Sequence, residues 1–403
     1  MQQQYDVLIV GGGLAGSSLA LALQNSGLEI AIVETNDWEQ RRLSPAGDRA
    51  LALANGTVRM LDKLGVWQAV KHAATAIKHI HVSDQGHFGK TRLSAAQEGV
   101  AGLGYVITAR EIEAQLAEQL RQTDITQYCP ARVVGLAADA EWAYISIMCG
   151  QESINLSAKL VVGADGGNST VRKLLGIKQQ FTEYGQTAIV TTVKSSCSHN
   201  NTAYERFTPS GPLALLPYHE QCAVVWTRRN DAAEILMSDS EAEFLQQLQH
   251  CFGYKLGEFA LSAPRRGFPL ALIRAEHMVL GRTVIIGNAA HQLHPVAGQG
   301  FNLGLRDVVL LAEMLLQQHQ SQSDIGAMHG LQKYARQRQQ DHDKVVRFTD
   351  GLVRIFSNEW RPLAAVRNLG LALLDHNPPA KSILARYAMG LSARMPNFEE
   401  TRD

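Results

Sequence analysis

Residues 5–34 narrow what this chain can fold into more than any other segment. Tyr5 to Val10 is an apolar, β-rich run, and Gly11-Gly12-Gly13-Leu14-Ala15-Gly16 follows directly. An apolar helical stretch then continues to Ser26, Gly27 supplies a stop, and Ile30 to Val33 reads as a second strand ending at Glu34. In a G-x-G-x-x-G turn between strand and helix each glycine has its own task. Gly11 allows the tight turn, Gly13 lets a pyrophosphate approach the backbone, and Gly16 lets the helix lie close on the strand. Leu14 and Ala15 open the helix, where the first amides lack partners and the helix dipole favours an anion. Glu34, about 20 residues on, stands where an acid binds adenosine ribose hydroxyls. The segment predicts dinucleotide binding, without separating FAD from NAD.

Two later stretches have the same strand–turn–helix grammar. Leu160 to Gly163 runs into Ala164-Asp165-Gly166-Gly167-Asn168-Ser169, where Asn168 or Ser169 can cap a short helix that Gly176 ends. Read alone, this segment is an ordinary connection. Thr283 to Ile286 precedes Gly287-Asn288-Ala289-Ala290-His291-Gln292-Leu293-His294-Pro295-Val296-Ala297-Gly298-Gln299-Gly300, and a helical pattern starts at Phe301. Pro295, Gly298 and Gly300 leave bare backbone amides at that helix start, which suits an anion.

Together the three segments resemble the FAD-binding set of the single-component aromatic hydroxylases of the para-hydroxybenzoate hydroxylase type, in the same order and over nearly the whole chain. His294 to Gly304 is similar to the signature of the ubiquinone-biosynthesis hydroxylases. Ile80 to Asp84, Glu205-Arg206-Phe207, Gly211 to Ala214 and Pro269 to Leu272 are similar to the 2-polyprenyl-6-methoxyphenol hydroxylase branch. The resemblance implies an α/β fold: a Rossmann-like FAD-binding domain, an inserted antiparallel-sheet substrate domain, and C-terminal helices. The implied cofactor contacts are Gly11, Gly13, Leu14, Ala15, Gly16, Glu34, Arg49, Arg110, Asp165, Gly166, Asn288, Pro295, Gly298, Gly300, Phe301 and Asn302, with the loop of Pro295, Gly298, Gln299 and Gly300 at the flavin ring. One position departs from the commoner pattern, in which an aspartate follows the glycine and accepts from the flavin ribityl chain. Here Asn288 stands in its place, and an amide brings no charge.

The implied reaction is the cofactor's chemistry rather than that of a side-chain triad. NAD(P)H reduces FAD, and O₂ supplies one oxygen atom to an electron-rich ring. No second Rossmann turn is visible, so the nicotinamide binds transiently. The protein supplies position, a dry pocket and the positive loop. A phenol reacts better as phenolate, and His81, His87, His219 and Tyr218 are candidate bases. Three readings stay open: a monooxygenase acting on a polyprenylated methoxyphenol in quinone synthesis, a flavin-dependent reductase of a prenyl lipid, and a non-catalytic FAD-bound subunit of a quinone-biosynthesis complex.

Composition bounds the rest. At 403 residues the chain accommodates two intermixed domains, and 45% hydrophobic with 19% charged residues is ordinary for a globular protein. Lys plus Arg and Asp plus Glu both number 38, so no net field attracts nucleic acid. Cys129, Cys149, Cys197, Cys222 and Cys251 are scattered, without C-x-x-C, and read as buried thiols in a reducing compartment. His291 and His294 have H-x-x-H spacing but sit in a turn with no acid or cysteine beside them, so no metal is expected.

The chain starts Met-Gln-Gln-Gln without a basic flank, and no uncharged apolar stretch approaches the length of about 20 residues that spans a bilayer. A cytoplasmic protein is expected, at most peripheral to the inner face of the membrane. Trp360 to Met395 alternates apolar runs with Arg361, Arg367, Lys381, Arg386 and Arg394. That pattern suits either a helical cap with a solvated basic face or an amphipathic helix on anionic lipid. The expected division is 1–70, 100–180 and 281–330 for the FAD-binding domain, 71–99 and 181–280 for the substrate domain, and 331–403 for the C-terminal helices.

Overall fold

The computed structural model describes residues 3–37, 39–40, 45–293, 298–356 and 361–391. Among them the strands form three sheets, of eight, nine and three strands. In the eight-stranded sheet Gln3–Val10 is central, flanked in parallel by Ile30–Val33 and Glu152–Gly163. Thr126–Tyr128 extends one side in parallel and Thr283–Ile285 the other. Val7, Leu8 and Ile9 are fully buried, as are Leu160 to Val162. Strands covered on both faces read as continuous apolar runs, which is how a parallel sheet appears in sequence.

Helix Leu14–Leu23 lies on this sheet beside helix Gln299–Gln320. It ends earlier than its composition suggests. Asn25, at φ 60°, takes the left-handed turn before Gly27 at φ 81° does so again. The stretch from 100 to 180 adds antiparallel strands to this sheet. Arg132–Ala138 and Ala143–Cys149 form an antiparallel ribbon running into Glu152–Gly163. Ala50–Ala54, Thr75–Ile77 and Gly104–Thr108 form the small antiparallel sheet on their own.

The nine-stranded sheet holds His79–Asp84, Lys90–Ser94, His291–Gln292 and the six described strands between Gln179 and Ala275. It is antiparallel except that His79–Asp84 runs parallel to Thr202–Thr208, because that pair is joined through the rest of the molecule and not by a hairpin. One face is covered by helices Asn230–Ser238 and Glu241–Phe252 around Trp226, Phe244, Leu213 and Leu215. The other face lies on the small sheet, where Ala203 and Leu216 meet Ile77 and Val106.

After Ile285 the chain leaves the first sheet, and at His291–Gln292 it joins the edge of the nine-stranded one. The third glycine turn therefore lies where the two sheets meet. Helices Met328–Phe356, Arg361–Asp375 and Pro378–Ala388 complete the described chain. Helix Arg361–Asp375 is strapped to the hairpin 79–94. Arg367 and Asn368 bind Asp84, Gly89 N–H donates to Asn368 Oδ1, and Thr91 donates to the Leu371 carbonyl. Arg367 is thus buried against an acid, contrary to its place in the expected basic face.

Candidate active site

Val10 is aligned with Val33 and Gly163, and Gly163 with Ile285. All three motif turns therefore leave the carboxyl ends of neighbouring parallel strands, where open α/β sheets bind their ligands. Backbone bonds close the junctions: Gly11 N to Val33 O, Ala164 N to Val10 O, and Ile286 N to Gly163 O, at 2.8, 2.7 and 2.9 Å.

At the first turn Gly11 has φ 101°, and a Cβ there would lie 2.6 Å from the Ala164 carbonyl oxygen. A Cβ at Gly16 would lie 1.9 Å from the Gly11 carbonyl oxygen, so this helix touches the turn backbone directly. Gly13 is different, because its Cβ would meet no protein atom within 4 Å. No side chain caps the helix, so the amides of Leu14 and Ala15 face that open space. Glu34 is buried, and its two oxygens accept from Gly12 N–H at 2.7 Å and Asn36 N–H at 2.8 Å. It therefore fixes the glycine turn, and its remaining lone pairs are what a ribose would meet.

At the second turn Ser169 caps helix Thr170–Leu174, and Asp165 Oδ2 accepts from Thr170 and Val171 N–H. Asp165 Oδ1 is buried without a hydrogen-bond partner among the described residues. A buried carboxylate oxygen left unpaired is costly, and a ligand hydroxyl would satisfy it. Gly166, at φ 79°, again has no protein atom where a Cβ would stand. Arg172, buried under both later turns, donates to the Gly167 and Ala289 carbonyls at 2.8 Å each.

At the third turn Asn288 is exposed, while Gly287 and Ala289 on either side of it are buried. Gly298, at φ 59°, opens helix Gln299–Gln320, and no atom of the described residues lies within 4 Å of where a Cβ on Gly300 would stand. Pro295 and His294 lie outside the described residues. Gln299 is buried and Phe301 is half-buried. The side chain of Asn302 is engaged within the protein. Its oxygen accepts from Ala54 N–H and Thr57, and its amide donates to the Ala52 and Gly298 carbonyls. All four bonds an asparagine side chain can make are engaged, so Asn302 holds the loop to strand Ala50–Ala54, and its backbone is what remains for a cofactor.

The two arginines differ. Arg49 keeps accessible surface and has no ion pair among the described residues; crowding by protein lowers its pKa, with Glu113 opposing. Arg110 binds Asp48 at 2.5 Å, and Arg266 reaches the same carboxylate at 3.4 Å.

Sequence reasoning missed the group behind the third turn. Asp307 is fully buried, and its Oδ2 accepts from Gly287 N–H at 3.1 Å and His291 Nε2 at 2.8 Å. Its Oδ1 faces Arg338 Nε at 2.6 Å and His342 Nε2 at 2.9 Å, and Tyr334 donates to its carbonyl. Burial would raise Asp307, but Arg338, His342 and His291 outweigh it and hold the carboxyl well below the usual range. Burial pushes His342 down to about 4 against the pull of Asp307. The ligand atoms of His291, Asp307 and His342 lie within 4.8 Å of one another, which has the outline of a metal set. The Arg338 guanidinium already brings the positive charge there. The H-x-x-H spacing thus concealed a different partnership for His291, with residues far along the chain.

The turns fit FAD on the evidence of the open cradle at Gly13, the bare amides beside it and the unpaired Asp165 oxygen. Known proteins agree. A family model described as an FAD binding domain matches residues 4–349. The chain is 38% identical over 388 residues to a ubiquinone hydroxylase, UbiL, of Rhodospirillum rubrum, covering 96% of this chain and 89% of that one. It is 28% identical over 440 residues to the human mitochondrial ubiquinone biosynthesis monooxygenase COQ6, covering 95% and 92%. In fold it is similar to the p-nitrophenol 4-monooxygenase PnpA of Pseudomonas putida, with TM-score 0.80 at 19% identity, covering 98% and 100%. Fold and site together define an FAD-dependent monooxygenase. Within that class the chain belongs to the family of the ubiquinone-biosynthesis hydroxylases.

Proposed function

We propose that this protein hydroxylates the aromatic ring of a 2-polyprenyl-6-methoxyphenol, using NAD(P)H and O₂. The observation that supports this reading best is the convergence of three glycine turns beside the edge of the nine-stranded sheet. The eight-stranded sheet with its turns is the FAD-binding unit, and the nine-stranded sheet is the substrate-facing unit. Gly11, Gly13, Leu14, Ala15 and Gly16 receive the pyrophosphate, Glu34 the adenosine ribose, and Asp165 and Asn288 the ribityl side. Gly298 and Gly300 present backbone amides to the flavin ring, which supplies reducing equivalents and oxygen activation when bound. Arg49 makes no ion pair among the described residues, whereas Arg110 acts through Asp48.

The relatives' names are those of hydroxylases and monooxygenases, which favours oxygen transfer over a prenyl-lipid reductase or a non-catalytic subunit. No helix among the described residues is long and apolar enough to cross a membrane. A polyprenyl phenol must nevertheless be drawn from lipid. Leu369, Leu373 and Ile383 are 56%, 62% and 72% exposed on the last two helices, with Arg386 exposed beside Ile383. They fit a peripheral contact with the inner face of the membrane. The quinone-intermediate profile of cells lacking the protein tests the assignment. Accumulation of a 2-polyprenyl-6-methoxyphenol is the expected result, and an unchanged profile removes it.

A further inference from the structure

Side chains of a strand alternate between faces, so the residues aligned with Glu205 across the nine-stranded sheet can be followed strand by strand. Val82 and Ala214 flank Glu205, and the row continues through Val225 and Val190 to Arg266. Each of these six keeps partial exposure, whereas Tyr204, Leu213, Val224, Trp226 and Ile189 on the opposite face are buried under the two helices. The row is bounded on one side by Ala203 against Ile77 and Val106, and on the other by Phe207 against Leu371. At its far end Arg266 reaches Asp48, beside Arg110. A strip of small apolar side chains thus keeps some accessible surface on the face turned toward the small sheet, with one carboxylate in it. Glu205 has no hydrogen bond or ion pair among the described residues.

Resting on the phenol-hydroxylase reading, we propose that Glu205 is the catalytic base that takes the proton of the substrate's phenol. The phenol O–H bond breaks with its electron pair left on oxygen. The proton forms an O–H bond with a carboxylate oxygen of Glu205, and total charge is unchanged. The phenolate pushes electron density into the ring at the carbon to be oxygenated. Val82, Ala214, Val225 and Val190 exclude water and accept the apolar ring and the start of its chain.

Burial alone pushes the Glu205 carboxyl up to about 7, which suits a base working near neutral pH. The neighbouring charges are largely paired elsewhere. Asp84 binds Arg367, Arg266 binds Asp48, and on helix Met328–Phe356 Asp341 binds Arg306 and Arg338 while Asp343 binds Arg274. Lys344, Arg347 and Asp350 are the other charged groups in that stretch of the helix. Tyr218, on the same sheet face, is held neutral above its usual range by burial, with Glu111 and Asp48 adding to it. The other candidate bases are turned away. His81 pairs with Tyr204 toward the opposite face and is lowered to about 4, first by burial and then by Lys255. His87 lies against Asp84, and His219 sits in a turn bonded to Thr75.

The test compares the FAD-loaded wild type, Glu205→Gln and Glu205→Asp with 2-methoxy-6-prenylphenol, which carries one isoprene unit. Phenol binding is read from the quenching of flavin fluorescence, and turnover from hydroxylated product between pH 5.5 and 8.5. Wild-type turnover should rise through a step near pH 7 as Glu205 loses its proton. Glu205→Gln should keep its FAD and bind the phenol, lose that step, and fall about 100-fold in turnover. Glu205→Asp should keep the step with intermediate turnover, and it decides the matter if the glutamine variant loses FAD. Variants with wild-type turnover and the same step overturn the role of Glu205 alone. A wild type that neither binds the phenol nor oxygenates it overturns the functional reading, and the base with it.

Discussion

Gly13 and Gly16 lie three residues apart in one turn, yet substitution should affect different properties. Gly13 has ordinary backbone angles, φ −72° and ψ −168°, and open space beyond its Cα. Gly13→Val should therefore leave the fold intact and occupy the phosphate's place. Losing about two charge-assisted bonds of 1.5–3 kcal/mol each weakens FAD by at least about 100-fold. Flavin content and thermal melting of one preparation check this; a yellow, stoichiometric Gly13→Val protein would remove the turn from the site. At Gly16 even alanine would strike the Gly11 carbonyl, so there the fold should fail first. This much was legible in the sequence, because strand, turn, helix and acid are local signals. Asp307 was not. It follows a legible motif, but its partners Arg338 and His342 lie about three and four turns into the next helix, and their aspect depends on how the helices pack.

Among the elements, helix Arg361–Asp375 shows how far pattern reading reaches. Its apolar and basic alternation correctly suggested a helix, but could not say which arginine turns inward. Asp84 supplies that answer from a strand 283 residues away. Arg367 and Asp84 are 6% and 2% exposed, so removing one partner leaves a buried charge. Arg367→Met should cost about 3–5 kcal/mol, and adding Asp84→Asn should recover part of it. Urea unfolding of the two single variants and the double variant measures the coupling; additive losses would mean the strap is not an interacting pair. The row through Glu205 escaped sequence reading for a related reason. Glu205-Arg206-Phe207 could be recognised, but the neighbours of Glu205 that matter are across strands, at Val82 and Ala214.

The whole molecule joins two sheets through buried charges at the third turn, and its stability should follow their protonation. His342 sits near 4 in the folded protein against 6.5 when free. Between these values the unfolded chain binds the proton and the folded one does not, so stability falls as pH drops through that window. From pH 7 to pH 5 the loss should be about 2 kcal/mol, recovering nothing until the pH rises again. The Asp307 shift acts lower, since a depressed carboxyl stabilises above its unfolded pKa and loses this only as pH falls through its folded one. Denaturant unfolding of wild type and His342→Gln at both pH values tests the assignment; an equal pH slope in the two proteins would place the titration elsewhere.

The central claim is that these turns hold a flavin that delivers one atom of oxygen to a phenol bound on the sheet face. The most direct measurement supplies FAD-loaded protein, NADPH, ¹⁸O₂ and 2-methoxy-6-prenylphenol, and weighs the product. The account predicts a product heavier by one ¹⁸O atom, formed only with both O₂ and NADPH present. Phenol conversion in the absence of O₂, or NADPH consumption that never marks the ring, would contradict it.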